Sequence, residues 1–284
     1  RDLGAATQPL DSFLGFRISP DGRRVAEAIM SPDGIGFIAM HEPARGIHTP
    51  FTTGPVARWN PVWSPDGRRV TFAASSGAPP DIVIKSLDDP GPGQLVLHTG
   101  DALVPTDWSP DGRLLLIDVG RIGRPGLDRD LWVLPLAGER KPVALLETTF
   151  DEGNAVFSPD SRSLAFVSDE SGRPEVYVQA FRVDSPALYG ERRRVSTAGG
   201  VAPRWSRDGR ELFFVSGDNQ LMSAAVRGGE IARPAPLFRV RTADFEVSPD
   251  GRRFLVRVPS GDGIPTAITV VVNWPASLAG RGVR

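Results

Sequence analysis

Short apolar runs separated by polar turn residues make up most of the chain. The runs are rich in β-branched and aromatic residues, and each ends within a few positions at Gly, Pro, Asp or Ser. This pattern is typical of β-strands, and no stretch has the period of an amphipathic helix. The sequence therefore predicts an all-β protein.

One turn-like segment, SPDG or a close variant, recurs six times. Its opening serines are Ser19, Ser64, Ser109, Ser158, Ser206 and Ser248, which are 45, 45, 49, 48 and 42 residues apart. A period in the forties is typical of propellers, in which each repeat forms a four-stranded blade. Ser, Pro, Asp and Gly in this order favour a type I turn followed by a left-handed glycine. Each copy therefore predicts a hairpin between the first and second strands of a blade.

We expect one domain over residues 1–284, a six-bladed β-propeller with four antiparallel strands in each blade. The predicted blades are 10–56, 57–101, 102–148, 149–197, 198–240 and 241–284. The sixth repeat runs out after its third strand. Residues 1–9 are therefore expected to form the outer strand of the last blade and close the ring, which removes an exposed sheet edge.

The composition narrows the class of partner. The 33 Lys and Arg nearly balance the 34 Asp and Glu, so no charge excess points to nucleic acid or to an acidic membrane. There is no Cys, which excludes disulfides, zinc–thiolate sites and a cysteine nucleophile. No apolar run reaches the ~18 residues of a transmembrane helix. We expect a protein or small-molecule partner, without cofactor or metal, and we interpret Arg1 as the start of a trimmed or mature form that a missing N-terminal segment could tether to a membrane.

The six copies resemble the WD-like, PD-motif repeat of TolB-type propellers, and the match covers essentially the whole chain. Two copies depart from it, with Ser161 in place of Gly and Arg207 in place of Pro. The ending ITVVVNWPASL, from Ile268, also resembles the close of extracytoplasmic propeller domains fused to bacterial Ser/Thr receptor kinases. The resemblance implies a propeller and a periplasmic or extracytoplasmic location, but it says little about function.

Aspartate occupies the same place in every turn. We expect each of these residues to accept hydrogen bonds from its own turn rather than to form a cation-binding array. The six structural aspartates are Asp21, Asp66, Asp111, Asp160, Asp208 and Asp250.

The position two before each serine lies on the predicted innermost strand and faces the channel. It holds Arg17, Val62, Asp107, Val156, Arg204 and Glu246. If the charged members form a site, the two arginines would hold a carboxylate, and either Asp107 or Glu246 would hold an amine. The alternative is that they neutralise one another in a self-contained network.

Loops at one face of the propeller supply the other binding candidates, since functional residues concentrate on such loops. Three arginines lie on the longest loop between a second and a third strand. The candidates are Arg58, Trp59, Asp151, Glu152, Asn154, Arg121, Arg124 and Arg129.

Catalytic motifs are absent from the sequence. The three histidines lack metal-ligand spacing, and there is no nucleophile elbow, HExxH or phosphate loop. We therefore expect a non-enzymatic binding or scaffold propeller that engages its partner at the funnel face or channel mouth. Two alternatives stay open: the sensor domain of a membrane Ser/Thr kinase, and a propeller hydrolase, lyase or prolyl-oligopeptidase-like gate.

Overall fold

A computed structural model describes residues 15–31, 33–121, 129–251, 253–258 and 267–272. They form an all-β propeller of antiparallel strands, as the apolar pattern predicts. Apart from one short 3-10 helix at Pro43–Arg45, the regular structure of these ranges is entirely strand. The expected strand at residues 1–9 lies outside the described residues.

The strands form sheets in chain order, and the first strands of neighbouring sheets contact one another, which places them innermost. Sheet 1 contains β1 (Phe16–Ile18), β2 (Val25–Met30), β3 (Gly36–Glu42) and β4 (Ile47–Pro50). Sheet 2 contains β5 (Ala57–Trp63), β6 (Arg69–Ser75), β7 (Asp81–Ser86) and β8 (Gln94–Leu97). Sheet 3 contains β9 (Ala102–Trp108), β10 (Leu114–Gly120), β11 (Arg129–Pro135) and β12 (Val143–Leu146).

The second half of the chain continues the same order. Sheet 4 contains β13 (Glu152–Phe157), β14 (Ser163–Ser168), β15 (Glu175–Arg182) and β16 (Ala187–Arg194). Sheet 5 contains β17 (Gly200–Trp205), β18 (Glu211–Ser216), β19 (Gln220–Arg227), the two-residue β20 (Glu230–Ile231) and β21 (Ala235–Arg239). Sheet 6 contains β22 (Phe245–Val247), β23 (Arg253–Val258) and β24 (Ala267–Val272). Five sheets therefore have at least four strands, and the described part of sheet 6 has three.

The six turns have the predicted geometry. In each, the glycine-position N–H donates to the serine carbonyl, and the buried serine Oγ donates to the aspartate Oδ1 over 2.5–2.7 Å. The same Oγ accepts a hydrogen bond from the backbone N–H at the start of the next strand. Each of the six aspartates thus accepts a hydrogen bond from the serine of its own turn.

Hydrophobic clusters join the consecutive sheets. Between sheets 3 and 4, for example, Leu116 and Val133 pack with Phe157 and Phe166. Equivalent clusters connect sheets 1 and 2, 2 and 3, 4 and 5, and 5 and 6. The apolar second strands of sheets 2 to 5 are covered on both faces for this reason.

The joint between sheet 6 and sheet 1 is charged. Inner strands β1 and β22 contact each other there. Arg257, only 3% exposed, pairs with Glu27 of sheet 1 at 3.4 Å and with Asp244 at 3.0 Å, and its guanidinium lies over the Phe16 ring. Within the described residues, ion pairing and a cation–π contact thus supplement apolar packing at this joint.

Candidate functional site

The six residues two positions before the turn serines occupy equivalent places on the inner strands. Each pairs with the corresponding residue of the second strand in its sheet, from Arg17 with Ala26 to Glu246 with Leu255. The inner strands contact one another in chain order, and the last contacts the first. We refer to Arg17, Val62, Asp107, Val156, Arg204 and Glu246 as the channel ring.

On one side of the channel ring, two arginines share one glutamate. Arg17 Nη1 lies 3.2 Å and Arg204 Nε 2.7 Å from Oε1 of Glu246. Each arginine also donates to a backbone carbonyl of its own strand, that of Phe16 at 3.0 Å and that of Pro203 at 2.8 Å. Burial, and then the charge of Arg204, lower the pKa of Arg17. The two guanidinium groups are therefore held close together in fixed orientations.

Asp107 lies on the opposite side, between Val62 and Val156, which are nearly fully buried. Its Oδ2 accepts a hydrogen bond from the Phe157 N–H at 2.8 Å. Burial raises the pKa of Asp107 to about 7, although this hydrogen bond and the charges of Arg17 and Arg204 favour the ionised form. Asp107 is thus a half-buried carboxyl group that titrates near neutral pH.

Sequence reasoning missed a second charged group beside the ring. Glu27, Asp244 and Arg257 form the joint between sheets 6 and 1, and Glu27 Oε2 also lies 2.7 Å from His41 Nε2. Burial raises the pKa of Asp244, whereas Arg257 and the ring arginines lower it. Asp244 lies two residues before Glu246 in the chain. Its ion-pair partner is Arg257 on β23, and the repeat pattern does not predict that pairing.

A separate cluster joins sheets 3 and 4 at the end of the propeller away from the SPDG turns. Arg129 makes two hydrogen bonds of 2.8 Å to the Asp151 carboxylate and lies 3.4 Å from Asp118. The backbone N–H of Asn154 donates to Asp118 at 2.9 Å. A Cβ on Gly153 would lie 2.7 Å from Asp118 Oδ2, so the close packing requires glycine. We call Asp118, Arg129, Asp151, Gly153 and Asn154 the upper cluster.

Burial affects both charges at the centre of the upper cluster. It raises the pKa of Asp118 to about 6, although Arg129 and the Asn154 N–H favour the ionised carboxylate. Burial also lowers the pKa of Arg129, but the hydrogen bonds to Asp151 and the charge of Asp118 outweigh that effect and raise it. Arg129 therefore stays charged, and Asp118 is a further residue that the sequence did not reveal.

The predicted binding loop contains two other arginines, Arg121 and Arg124. Arg121 Nε lies 2.5 Å from the buried carboxylate of Asp130, Nη2 contacts Glu147, and the guanidinium lies over Trp132. The hydrogen bond to Asp130 raises the pKa of Arg121. Arg124 lies outside the described residues. Arg121 and Arg129 thus each hold two carboxylates of the protein itself, and their role toward a partner stays a prediction.

Several residues expected on surface loops lie within inner strands, and that placement was wrong. Arg58 and Trp59 belong to β5, and Glu152 and Asn154 belong to β13. The reason is a β-bulge in each strand, with positive φ at Asn60 (49°) and Asn154 (53°). The bulge lets strand pairing continue through the residues that were expected to form a loop.

The acidic and basic members of these strands are strongly buried. Arg58 is 5% exposed, donates to the Val56 carbonyl at 2.8 Å and has a pKa lowered by burial. Glu152 is fully buried and accepts a hydrogen bond from Thr148 at 2.7 Å, and burial raises its pKa to about 7. Both side chains are too enclosed to meet a large partner at the surface.

The propeller fold agrees with the result of comparing the sequence with known protein families. The profile of the TolB beta propeller domain matches residues 48–231, well over half of the chain. The chain belongs to this family. The family resemblance in the repeats is therefore confirmed.

Similar solved structures include propellers of different function. TolB from Acinetobacter baumannii is 18% identical with a TM-score of 0.72, covering 89% of this chain and 62% of its own. Putative TolB from Agrobacterium tumefaciens is 20% identical with a TM-score of 0.67, covering 86% and 88%. The periplasmic gluconolactonase of Pseudomonas aeruginosa is 20% identical with a TM-score of 0.59, covering 94% and 86%. The chain thus spans under two thirds of the first TolB, and at these identities the likeness shows the fold alone.

Two searches of the described residues complete the description. They contain no group of three or more His, Asp or Glu side chains arranged to hold a metal ion. None of their helices has the length and hydropathy needed to cross a bilayer.

Proposed function

We propose that this chain is a non-enzymatic binding module that engages a protein or small-molecule partner at the mouth of its central channel. The channel ring carries this proposal. Val62 and Val156 show that an apolar residue satisfies the fold at this position, so the repeat does not itself require a charged one. Four charged residues at equivalent, largely buried positions cost desolvation energy, and such costs are typical of functional sites.

The proposed architecture is a closed ring of six blades, the last completed by residues 1–9. The contact between β1 and β22 and the ion pairs of Arg257 support closure. We also propose an extracytoplasmic location. Membership in the TolB beta propeller domain family and the likeness to a gluconolactonase described as periplasmic support it.

Asp107 supports a second candidate function, hydrolysis or lyase chemistry. A half-buried carboxyl group with a pKa of about 7 is suited to general acid–base catalysis at neutral pH. Similarity to a gluconolactonase fold is compatible with this alternative but does not supply the reaction.

The proposal is tested by ligand capture with two proteins that differ at the ring. The wild type and an Asp107→Asn, Glu246→Gln variant are dialysed against a fractionated extract, and retained compounds and proteins are identified by mass spectrometry. We expect a set that the wild type retains and the variant loses. Asp184→Asn, at an exposed position, is the matched control and should retain the same set.

Two results would contradict the binding proposal. Identical retained sets for the wild type and the ring variant would show that the ring is not the site. Turnover of a retained compound, or of gluconolactone, that Asp107→Asn abolishes would identify an enzyme instead.

A further inference from the structure

The charges of the channel ring are distributed unevenly around it. Reading around the inner strands, Arg204, Glu246 and Arg17 are consecutive, and Asp107 lies three sheets from Glu246 and two from each arginine. Val62 and Val156 separate the two sides. The arginine side carries one net positive charge and the Asp107 side one negative charge when ionised, so the ring is a dipole across the channel.

The arginine side retains hydrogen-bonding capacity. Each guanidinium has five N–H donors. The described partners engage Nη1 of Arg17, and Nε and Nη1 of Arg204, with both groups meeting the same oxygen of Glu246. Within the described residues, these hydrogen bonds thus leave both Nη2 groups for a ligand, and guanidinium donors of this kind suit a carboxylate.

The Asp107 side lacks a cation. Among the described residues Asp107 makes no ion pair, and its carboxylate accepts hydrogen bonds from the backbone N–H groups of Phe157 and Trp108. The flanking valines supply no polar partner. Burial and the lack of an ion-pair partner among the described residues both favour a ligand that brings a positive charge, because an ammonium group would stabilise the ionised carboxylate.

The neighbouring charges act on the arginine side of the ring, because Asp244 interacts electrostatically with Arg17 and Arg204. Arg257 lies between Glu27 and Asp244, and His41 lies against Glu27. These four residues form contacts among themselves at the joint between sheets 6 and 1. The ring therefore has Arg17, Arg204 and Glu246 on one wall and the single carboxylate of Asp107 on the other.

We infer that the channel ring binds a zwitterion, with its carboxylate at Arg17 and Arg204 and its ammonium group at Asp107. The inference rests on the proposed binding function and names the ligand class for that site. Amino acids and the termini of short peptides have this chemistry. A simple carboxylic acid or a simple amine engages only one wall and binds more weakly.

The test is isothermal titration calorimetry at pH 8 with ω-amino acids from glycine to 6-aminohexanoate, together with hexanoate and hexylamine. We expect one member of the series to bind about tenfold or more tightly than either single-charge compound. The chain length that binds best measures the separation of the two walls.

Variants at Asp107 and Arg204 test which wall of the channel binds which charged group of the ligand. Asp107→Asn should reduce the affinity for the best amino acid to that for hexanoate, while hexanoate binding stays unchanged. Arg204→Gln should weaken the binding of the amino acid and of hexanoate. Arg204→Lys should have a smaller effect, because lysine keeps the positive charge but loses the paired N–H donors of the guanidinium group. Asp184→Asn is the control for Asp107→Asn, and urea midpoints verify that each variant is folded.

The unfavourable outcomes are distinguishable. If hexanoate or hexylamine binds as well as every amino acid and responds to the ring variants, the zwitterion assignment is wrong but the channel still binds ligands. If no compound binds at millimolar concentration, or Asp107→Asn changes nothing, the inference is overturned, and the ligand-capture experiment judges the proposed function independently.

Discussion

Two positions only two residues apart, one near the end of each inner strand and one in the turn just after it, have opposite characters. The turn serine is buried and makes the same hydrogen bonds in all six sheets, to an aspartate Oδ1 and from a backbone N–H. The channel-ring residue is Arg, Val, Asp, Val, Arg or Glu depending on the sheet. The hairpin is the same in all six sheets, so the fold alone does not account for the variation at the ring position.

This difference shows that the repeat requires serine at the turn position but accepts several residue types at the ring position. A turn serine satisfies groups within its own hairpin, and any replacement leaves buried polar atoms without partners. A ring residue meets residues of other sheets, as Arg17 and Arg204 meet Glu246. Its identity is therefore set by the channel as a whole, which is where a ligand would act.

The largest effect is expected where the turn itself is broken. Gly67 has φ +66°, and a Cβ there would lie 3.7 Å from Pro20 of the preceding turn. We expect Gly67→Val to lower the free energy of unfolding by about 1–3 kcal/mol, because a β-branched residue is strained in the left-handed region. The urea midpoint measures this. Arg68→Val, at the exposed next position, is the control, and equal midpoints for the two variants would contradict the turn assignment.

At the ring, the expected effect depends on pH. The pKa of Asp107 is about 7 in the folded protein, above its ordinary value of 3.8, so the folded state binds more protons between these values. Stability therefore falls as pH rises through this window and is constant above it. Asn mimics the protonated carboxyl group. We expect Asp107→Asn to match the wild type at pH 4 and to exceed it by about 1–2 kcal/mol at pH 8, discounted for partial exposure.

Urea midpoints of both proteins at a series of pH values provide the measurement. Asp184→Asn should show no such pH-dependent difference, since that carboxylate is exposed. A constant difference between wild type and Asp107→Asn from pH 4 to pH 8 would show that Asp107 has an ordinary pKa.

The smallest effect is expected at the one turn whose sequence departs from glycine. Ser161 has φ 59°, the conformation that glycine adopts in the other five turns. Relief of this strain should make Ser161→Gly more stable by about 0.5–1 kcal/mol. The reciprocal change Gly112→Ser should destabilise by a similar amount. Thermal or urea unfolding that shows the same sign for both changes would refute the equivalence of the turns.

The propeller could be predicted from the sequence because its determinants are local. Each SPDG copy contains the donor, the acceptor and the left-handed residue that its hairpin needs, and the copies recur at a blade-length interval. The channel-ring residues were predicted by counting two positions back from each turn serine, onto the innermost strand. Arg17, Arg204 and Glu246 come together as that count implies.

The remaining features depend on contacts between sheets, which a repeat pattern does not encode. Asp118 meets Arg129 and the Asn154 N–H because sheets 3 and 4 pack together there. The bulges at Asn60 and Asn154 shift the alternation of side chains, so Arg58 and Glu152 are buried rather than exposed on loops. These arrangements depend on tertiary packing that no single strand specifies.

The charged joint at Arg257 has a consequence for the order of folding. Sheets 1 to 5 each form from strands adjacent in sequence, so their loop-closure entropy is small. Glu27 and Arg257 are separated by most of the chain, and their meeting has a high contact order. We expect the blades to assemble first in an open arc, with the Glu27–Arg257–Asp244 contact forming in the last and slowest step.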